Sequence, residues 1–263
     1  MLFLLPPSET KTRPAADAPH LDLPALTHPE LTAARETMLR AVQRTAAGRD
    51  GGAKLGVPAS APELTERMAE LSDEPAGPAL RVYSGVLFDQ LDPAVLDPGA
   101  NAPTDRRVLI QSALLGVVDA AQDLIPAYRV SAGSKVTRLG KAGTWWGKHL
   151  RPLAQTLLEE TAHSTAPLAI DCRSGAYRTM MPLHSTAEVR VLAVSPVQER
   201  AGVRKVVSHD AKRYRGWVVR ALLDAPSAPP TAEAVVEHLL AAFDGTLGVE
   251  LDGDSLVIVD RAE

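Results

Sequence analysis

Leu2-Phe3-Leu4-Leu5-Pro6-Pro7-Ser8-Glu9-Thr10-Lys11-Thr12 sets a short, wholly apolar run against two prolines and a cluster of hydroxyl and charged side chains. The run is too short for a membrane span or a signal-peptide core, and no basic residue precedes it. It reads as a buried strand, with Pro6 and Pro7 ending it. The same grammar recurs at Val108-Leu109-Ile110-Gln111-Ser112 and at Leu168-Ala169-Ile170-Asp171-Cys172, which runs into Arg173-Ser174-Gly175-Ala176-Tyr177-Arg178. Polar side chains gathered just past buried strands mark ligand sites in α/β proteins.

The remaining elements follow from period and punctuation. Helices are expected over 29–47, with Pro29 at its first turn, and over 62–72, 144–161, 211–223 and 231–243, the last capped by Thr231. Further strands are expected over 188–194 and 203–208, with a hairpin of 247–251 and 255–259 around Asp252-Gly253-Asp254. Residues 76–91 form a further segment, 125–130 a short extended one, and the Pro- and Gly-rich stretch 93–105 a loop. Strands and helices mix without a strict βαβ repeat. The expectation is a mixed α/β (α+β) fold, one domain over 1–263, with a central mixed sheet and flanking helices.

Composition narrows the function classes. Apolar residues make up 45% and charged residues 23%, ordinary globular usage. The one cysteine, Cys172, excludes an intramolecular disulfide and a four-thiolate zinc site, and a reducing cytoplasm is the expected location. Cys172 reads as a buried small hydrophobe or as a redox sensor beside Arg173. No metal-ligand spacing, P-loop or Gly-x-Ser-x-Gly elbow is present, and no cofactor signature. The net charge is −4, yet residues 124–220 carry 16 Lys and Arg against 6 Asp and Glu. That asymmetry predicts either a basic face on an acidic body or charges scattered over several surfaces.

Lys11 sits where a lysine can neutralise a phosphate or, if desolvated, act as a base; the alternative is a hydroxyl-rich surface turn. Ser174 and Tyr177 share a face if a helical turn begins between them. Asp210-Ala211-Lys212-Arg213-Tyr214-Arg215-Gly216-Trp217, continuing to Arg220, makes a helix with one cationic and one apolar face. Such a face binds phosphates, with Tyr214 and Trp217 available to stack on bases, or is a solvated face paired with acids. Gly140-Lys141-Ala142-Gly143 before a helix offers backbone donors to a phosphate, a weak signal alone.

These segments together resemble the YaaA family of bacterial peroxide-stress proteins. The likeness rests on Leu4 to Thr12, Tyr83-Ser84-Gly85, Gln111 to Val117, Asp123 to Arg129, Trp146-Gly147, Asp171 to Tyr177, and Ala211 to Gly216 with Arg220, in order from residue 2 to about 223. It implies a mixed α/β domain with a positively charged cleft, binding to DNA, and a role in limiting iron-driven oxidative damage; with the cationic helix face, the expected partner is double-stranded DNA bound without sequence preference. A helix-hairpin-helix element associated with the family falls on 63–77, where Asp73-Glu74-Pro75 stands in place of a glycine hairpin.

Three functions follow. The first is a DNA-binding stress protein with no membrane association, using Tyr128, Arg129, Ser174, Arg178, Arg213, Arg215 and Arg220 as anion contacts. The second is an enzyme acting on a small anionic or nucleotide ligand, with Ser8, Lys11, Tyr177 and Lys212 as its catalytic groups. Phosphate binding alone does not need Ser, Lys and Tyr gathered in one place. The third is a partner-binding protein that docks through the helix at 231–243.

Overall fold

The computed structural model describes residues 1–93, 105–207 and 210–261. The loop expected at 93–105 lies almost wholly outside the described residues, as do Ser208 and His209.

In chain order the elements begin with β1 (Leu2–Leu5), α1 (Thr32–Ala46), α2 (Gly51–Leu55), α3 (Glu63–Ala69), β2 (Ala76–Pro78) and α4 (Ala79–Val82). Then come β3 (Arg107–Ser112), β4 (Gly116–Asp119), β5 (Leu124–Pro126), β6 (Lys135–Val136), β7 (Gly140–Lys141), α5 (Ala142–His149), α6 (Arg151–Ala162), β8 (Leu168–Asp171) and α7 (Gly175–Met180). The chain closes with β9 (Arg190–Arg200), β10 (Val203–Val206), α8 (Ala211–Asp224), α9 (Ala232–Phe243), β11 (Gly248–Asp252) and β12 (Ser255–Asp260).

The central sheet runs β11-β12-β9-β8-β1-β3-β4, with β10 also paired to β9. Its interior strands β12, β9, β8, β1 and β3 are mutually parallel, while β4, β10 and β11 are antiparallel. This explains why β1 and β8 are apolar without alternation: each is buried at every position. Leu4 faces Leu109 in β3 and Asp171 in β8, so three parallel strands end side by side. The loops after Leu5, Ser112 and Asp171 therefore emerge at one edge, outside the carboxyl ends, where open α/β sheets place their ligands.

Several residues of the recurring motifs serve packing. Gly116 has φ +78°, and a Cβ there would meet the Trp146 ring at 2.8 Å. Trp146 is fully buried and donates from Nε1 to the Ala113 carbonyl at 2.8 Å. Gly216 lets α8 approach the segment before β3, since a Cβ would lie 2.6 Å from the Leu87 carbonyl oxygen. Thr231 caps α9, accepting the Ala234 N–H.

Four expectations change. The helix over 144–161 is two, α5 and α6, because Pro152 has no N–H for the helix ladder and crowds the preceding turn. The helix at 62–72 ends at Ala69. The strand at 188–194 continues to Arg200, because β10 takes up its edge where β8 stops. The stretch 63–77 is one helix followed by a turn and β2, not a helix-hairpin-helix. Glu74 lies buried there and accepts hydrogen bonds from Arg13 and Arg67. Burial alone would raise the Glu74 carboxyl; the two guanidiniums outweigh it and hold it below the usual range. No helix among the described residues is long and apolar enough to cross a membrane.

Candidate functional site

Ser8, Lys11, Arg129, Ser174, Tyr177, Lys212 and Arg215 line one cavity of about 260 Å³ at the carboxyl edge of the sheet. They come from the loop after β1, the segment after β5, the turn into α7 and the first turns of α8. The local reason is the parallel order β3-β1-β8, which delivers two of these loops side by side. The tight seat of α8 at Gly216 brings a third element to the same edge.

Lys11 is the chemically unusual group. Its Nζ donates to the Ser8 carbonyl at 2.7 Å and lies 4.1 Å from the Tyr128 ring centroid and 5.0 Å from that of Tyr83. Those rings are fixed from below. Tyr83 and Tyr128 share a hydrogen bond at 2.6 Å, and Tyr128 shares another with Ser112 Oγ at 2.7 Å. Ser112 Oγ also accepts the backbone N–H groups of Leu114 and Leu115. Burial first, and then the nearby Arg129 charge, lower the Lys11 ammonium to about 7, with Glu9 opposing. Near neutral pH a large fraction of this amine is therefore unprotonated and nucleophilic.

The other predicted residues separate by environment. Ser8 Oγ donates to the Thr10 carbonyl and accepts the Ser84 N–H, so its hydroxyl fixes the loop while its carbonyl holds Lys11. Arg129 is a strap: it donates to the Gly56 carbonyl, the Glu9 carbonyl and the Glu9 carboxylate, the last at 2.9 Å. Tyr177 accepts the Ala132 N–H at 3.3 Å, and burial keeps its phenol protonated far above neutrality. Arg215 makes one hydrogen bond among the described residues, from Nε to the Val194 carbonyl at 3.4 Å, leaving its remaining donors for an anion. Lys212 is exposed at the cavity's rim.

Three predicted contacts lie elsewhere. Arg178 donates to the Asp171 carbonyl and flanks that carboxylate at 3.6 Å. Arg213 pairs with Asp210, and Arg220 with Asp224 and Asp92. Tyr128 serves as a platform beneath Lys11. Tyr214 is buried with its hydroxyl on Asp260 at 2.6 Å, whereas Trp217 is 36% exposed and donates to Gln90. Cys172 is fully buried and its thiol is pushed up to about 12 by that burial, so it packs as a small hydrophobe. At the start of α5, Ala142 and Gly143 spend their N–H groups on Ser134 and Ala132, so the Gly-x-x-Gly turn offers no backbone cradle there.

Two contributors were not picked out by sequence reasoning. Glu9 is the anionic partner of Arg129, and nothing in a linear sequence pairs residues 120 apart. Tyr83 completes the aromatic seat; its signal was the Tyr-Ser-Gly motif, whose glycine has φ +101°. A second, open groove of about 1000 Å³ borders the same wall, lined by Ala132 and Ala176 with Lys141, Lys148 and Arg151.

The family described as "Peroxide stress protein YaaA" matches residues 1–236. The chain belongs to that family. A UPF0246 protein of Streptomyces coelicolor is 36% identical over 257 residues, covering 97% of this chain and 93% of that one. A UPF0246 protein of Corynebacterium glutamicum is 38% identical over 247 residues, covering 92% and 93%. A more distant UPF0246 protein, from a Ruegeria species, is 29% identical over 171 residues, covering 65% of this chain and 67% of its own. This YaaA-family chain thus carries a stress-related family name, and residues from four of its seven motifs line the Lys11 cavity.

Proposed function

We propose that this chain serves the peroxide stress response through the Lys11 cavity, which binds a small anionic or nucleotide ligand and acts on it chemically. The observation that carries this reading is the seating of the Lys11 amine over two tyrosine rings, in the same cavity as the uncommitted Arg215 guanidinium. Lys11 is the base or nucleophile, Tyr177 a proton donor, and Lys212, Arg215 and Ser174 the anion contacts. A neutral amine held beside fixed cations is the arrangement expected of a catalytic lysine, and it is costly for a merely structural one.

A second reading is sequence-independent binding of double-stranded DNA, limiting iron-driven damage to it. The Lys141, Lys148 and Arg151 groove favours it, because three cations line an open surface. One pair of titrations separates the two. Binding of a nucleoside monophosphate is expected to weaken about tenfold or more in Arg215→Ala, the loss of one charge-assisted contact. Duplex DNA affinity is expected to fall steeply with rising salt and to respond to Lys148→Ala with Arg151→Ala instead. Nucleotide binding that ignores Arg215 overturns the cavity reading; DNA affinity that is absent at low salt, or flat with salt, overturns the second.

A further inference from the structure

The cavity joins an amine nucleophile to an anion site and a protonated phenol. An ordinary phosphate-binding site needs only the second of these. Lys11 Nζ is held on one side by the Ser8 carbonyl at 2.7 Å and backed by the Tyr128 ring. Arg215 and Lys212 from α8, with Ser174 from the turn into α7, line the same space. At about 260 Å³ that space falls just below the usual range for sites holding drug-sized ligands, and fits a compact molecule.

We propose that Lys11 forms an imine with a small phosphorylated aldehyde or ketone, whose phosphate is held by Arg215, Lys212 and Ser174; this rests on the cavity reading above. The unprotonated amine adds to the carbonyl carbon, making a C–N bond as the carbonyl π pair moves to oxygen. Tyr177 donates a proton to that oxygen, since its hydroxyl accepts from Ala132 and keeps its own hydrogen for donation. Tyr177 recovers a proton from the nitrogen. A further solvent proton lets the oxygen leave as water, which breaks the C–O bond and leaves a protonated imine. Amine, carbonyl and one proton give iminium and water, with no change of oxidation state. The lowered basicity of Lys11 supports the step, because an ordinary lysine would be almost wholly protonated at neutral pH.

The test is reductive trapping of the full chain with glyceraldehyde 3-phosphate and cyanoborohydride, followed by peptide mass mapping. The expected result is a single adduct on Lys11, absent in Lys11→Arg. It should form at least tenfold more slowly in Arg215→Ala, and likewise with unphosphorylated glyceraldehyde. An adduct spread over surface lysines, or none on Lys11, overturns the imine. Calorimetry with inorganic phosphate on the same protein separates the failures. Phosphate binding that depends on Arg215, without a Lys11 adduct, removes the imine and leaves the anion cavity standing; loss of both removes the cavity reading as well.

Discussion

Lys11→Met is expected to abolish protection against peroxide in a bacterium lacking its own family member, while the purified protein melts at a higher temperature than wild type. The two halves have one cause. Seating an ammonium between Tyr83 and Tyr128 costs hydration that the Ser8 carbonyl and the rings return only in part. The pKa of Lys11 in the folded chain, about 7, lies below that of an unfolded lysine. Between those values the unfolded chain binds the extra proton, so stability rises with pH through that window. Below about 7 the full cost of the buried charge is present. A methionine of similar length removes that cost, and a gain of about 1–3 kcal/mol is expected at neutral pH, shrinking toward pH 10. Peroxide survival is read by colony counts and stability by thermal melts at two pH values. A variant that protects like wild type contradicts a chemical role for Lys11.

Arg173→Ala should have the opposite signature, a large loss of stability. Arg173 is fully buried. It donates from Nε and Nη2 to the two Asp171 oxygens at 2.9 and 2.8 Å, and from Nη1 to Gln111 and the Met181 carbonyl. Its removal takes both guanidinium hydrogen bonds from a buried carboxylate, leaving it Arg178 at 3.6 Å, and strands two buried acceptors, a change worth about 3–5 kcal/mol. In a chain of this size that lowers the melting temperature by roughly 10 °C. The functional consequence is indirect: this pair sets the turn after β8 that delivers Ser174 and Tyr177. Arg213→Ala is the contrast. Its exposed pair with Asp210, three residues away, is worth at most about 0.5 kcal/mol. Denaturant melts of the two variants side by side check the ranking, and equal losses would contradict it.

What could be read from the sequence was local. The apolar runs of β1, β3 and β8, bounded by proline and polar residues, identify themselves because strands buried on both faces need no alternation. Polar side chains at their ends pointed to Ser8, Lys11, Ser174 and Tyr177, which the fold brings into one cavity. Lys212 and Arg215 were legible as the cationic face of α8, although the same pattern also named Arg213 and Arg220, which pair with acids. The break between α5 and α6 lay in plain view at Pro152, overridden by an apolar spacing that continues through it.

The remainder depends on long-range pairing. The excess of cations in 124–220 is answered by acids from distant segments, as in Arg190 with Glu233 and Asp254, or Arg204 with Glu250. Segment charge cannot show which of these remain uncommitted. Arg173 lay within the motif that held the candidates, yet its role is to brace Asp171, and only its burial and its partners in the fold distinguish it from Arg215. Cys172 illustrates the same limit: beside arginines in sequence it suggests a thiolate, while complete burial makes it a poor one.

The amine of Lys11 is the centre of this account, and its titration is directly measurable. Carbon-13 labelling of lysine Cε, with Lys11→Arg to assign the signal, follows each lysine through a pH series by NMR. One resonance with a midpoint near 7 that disappears in the variant is the predicted result. A Lys11 midpoint in the ordinary lysine range, about 10.4, would show a hydrated surface ammonium and contradict the account.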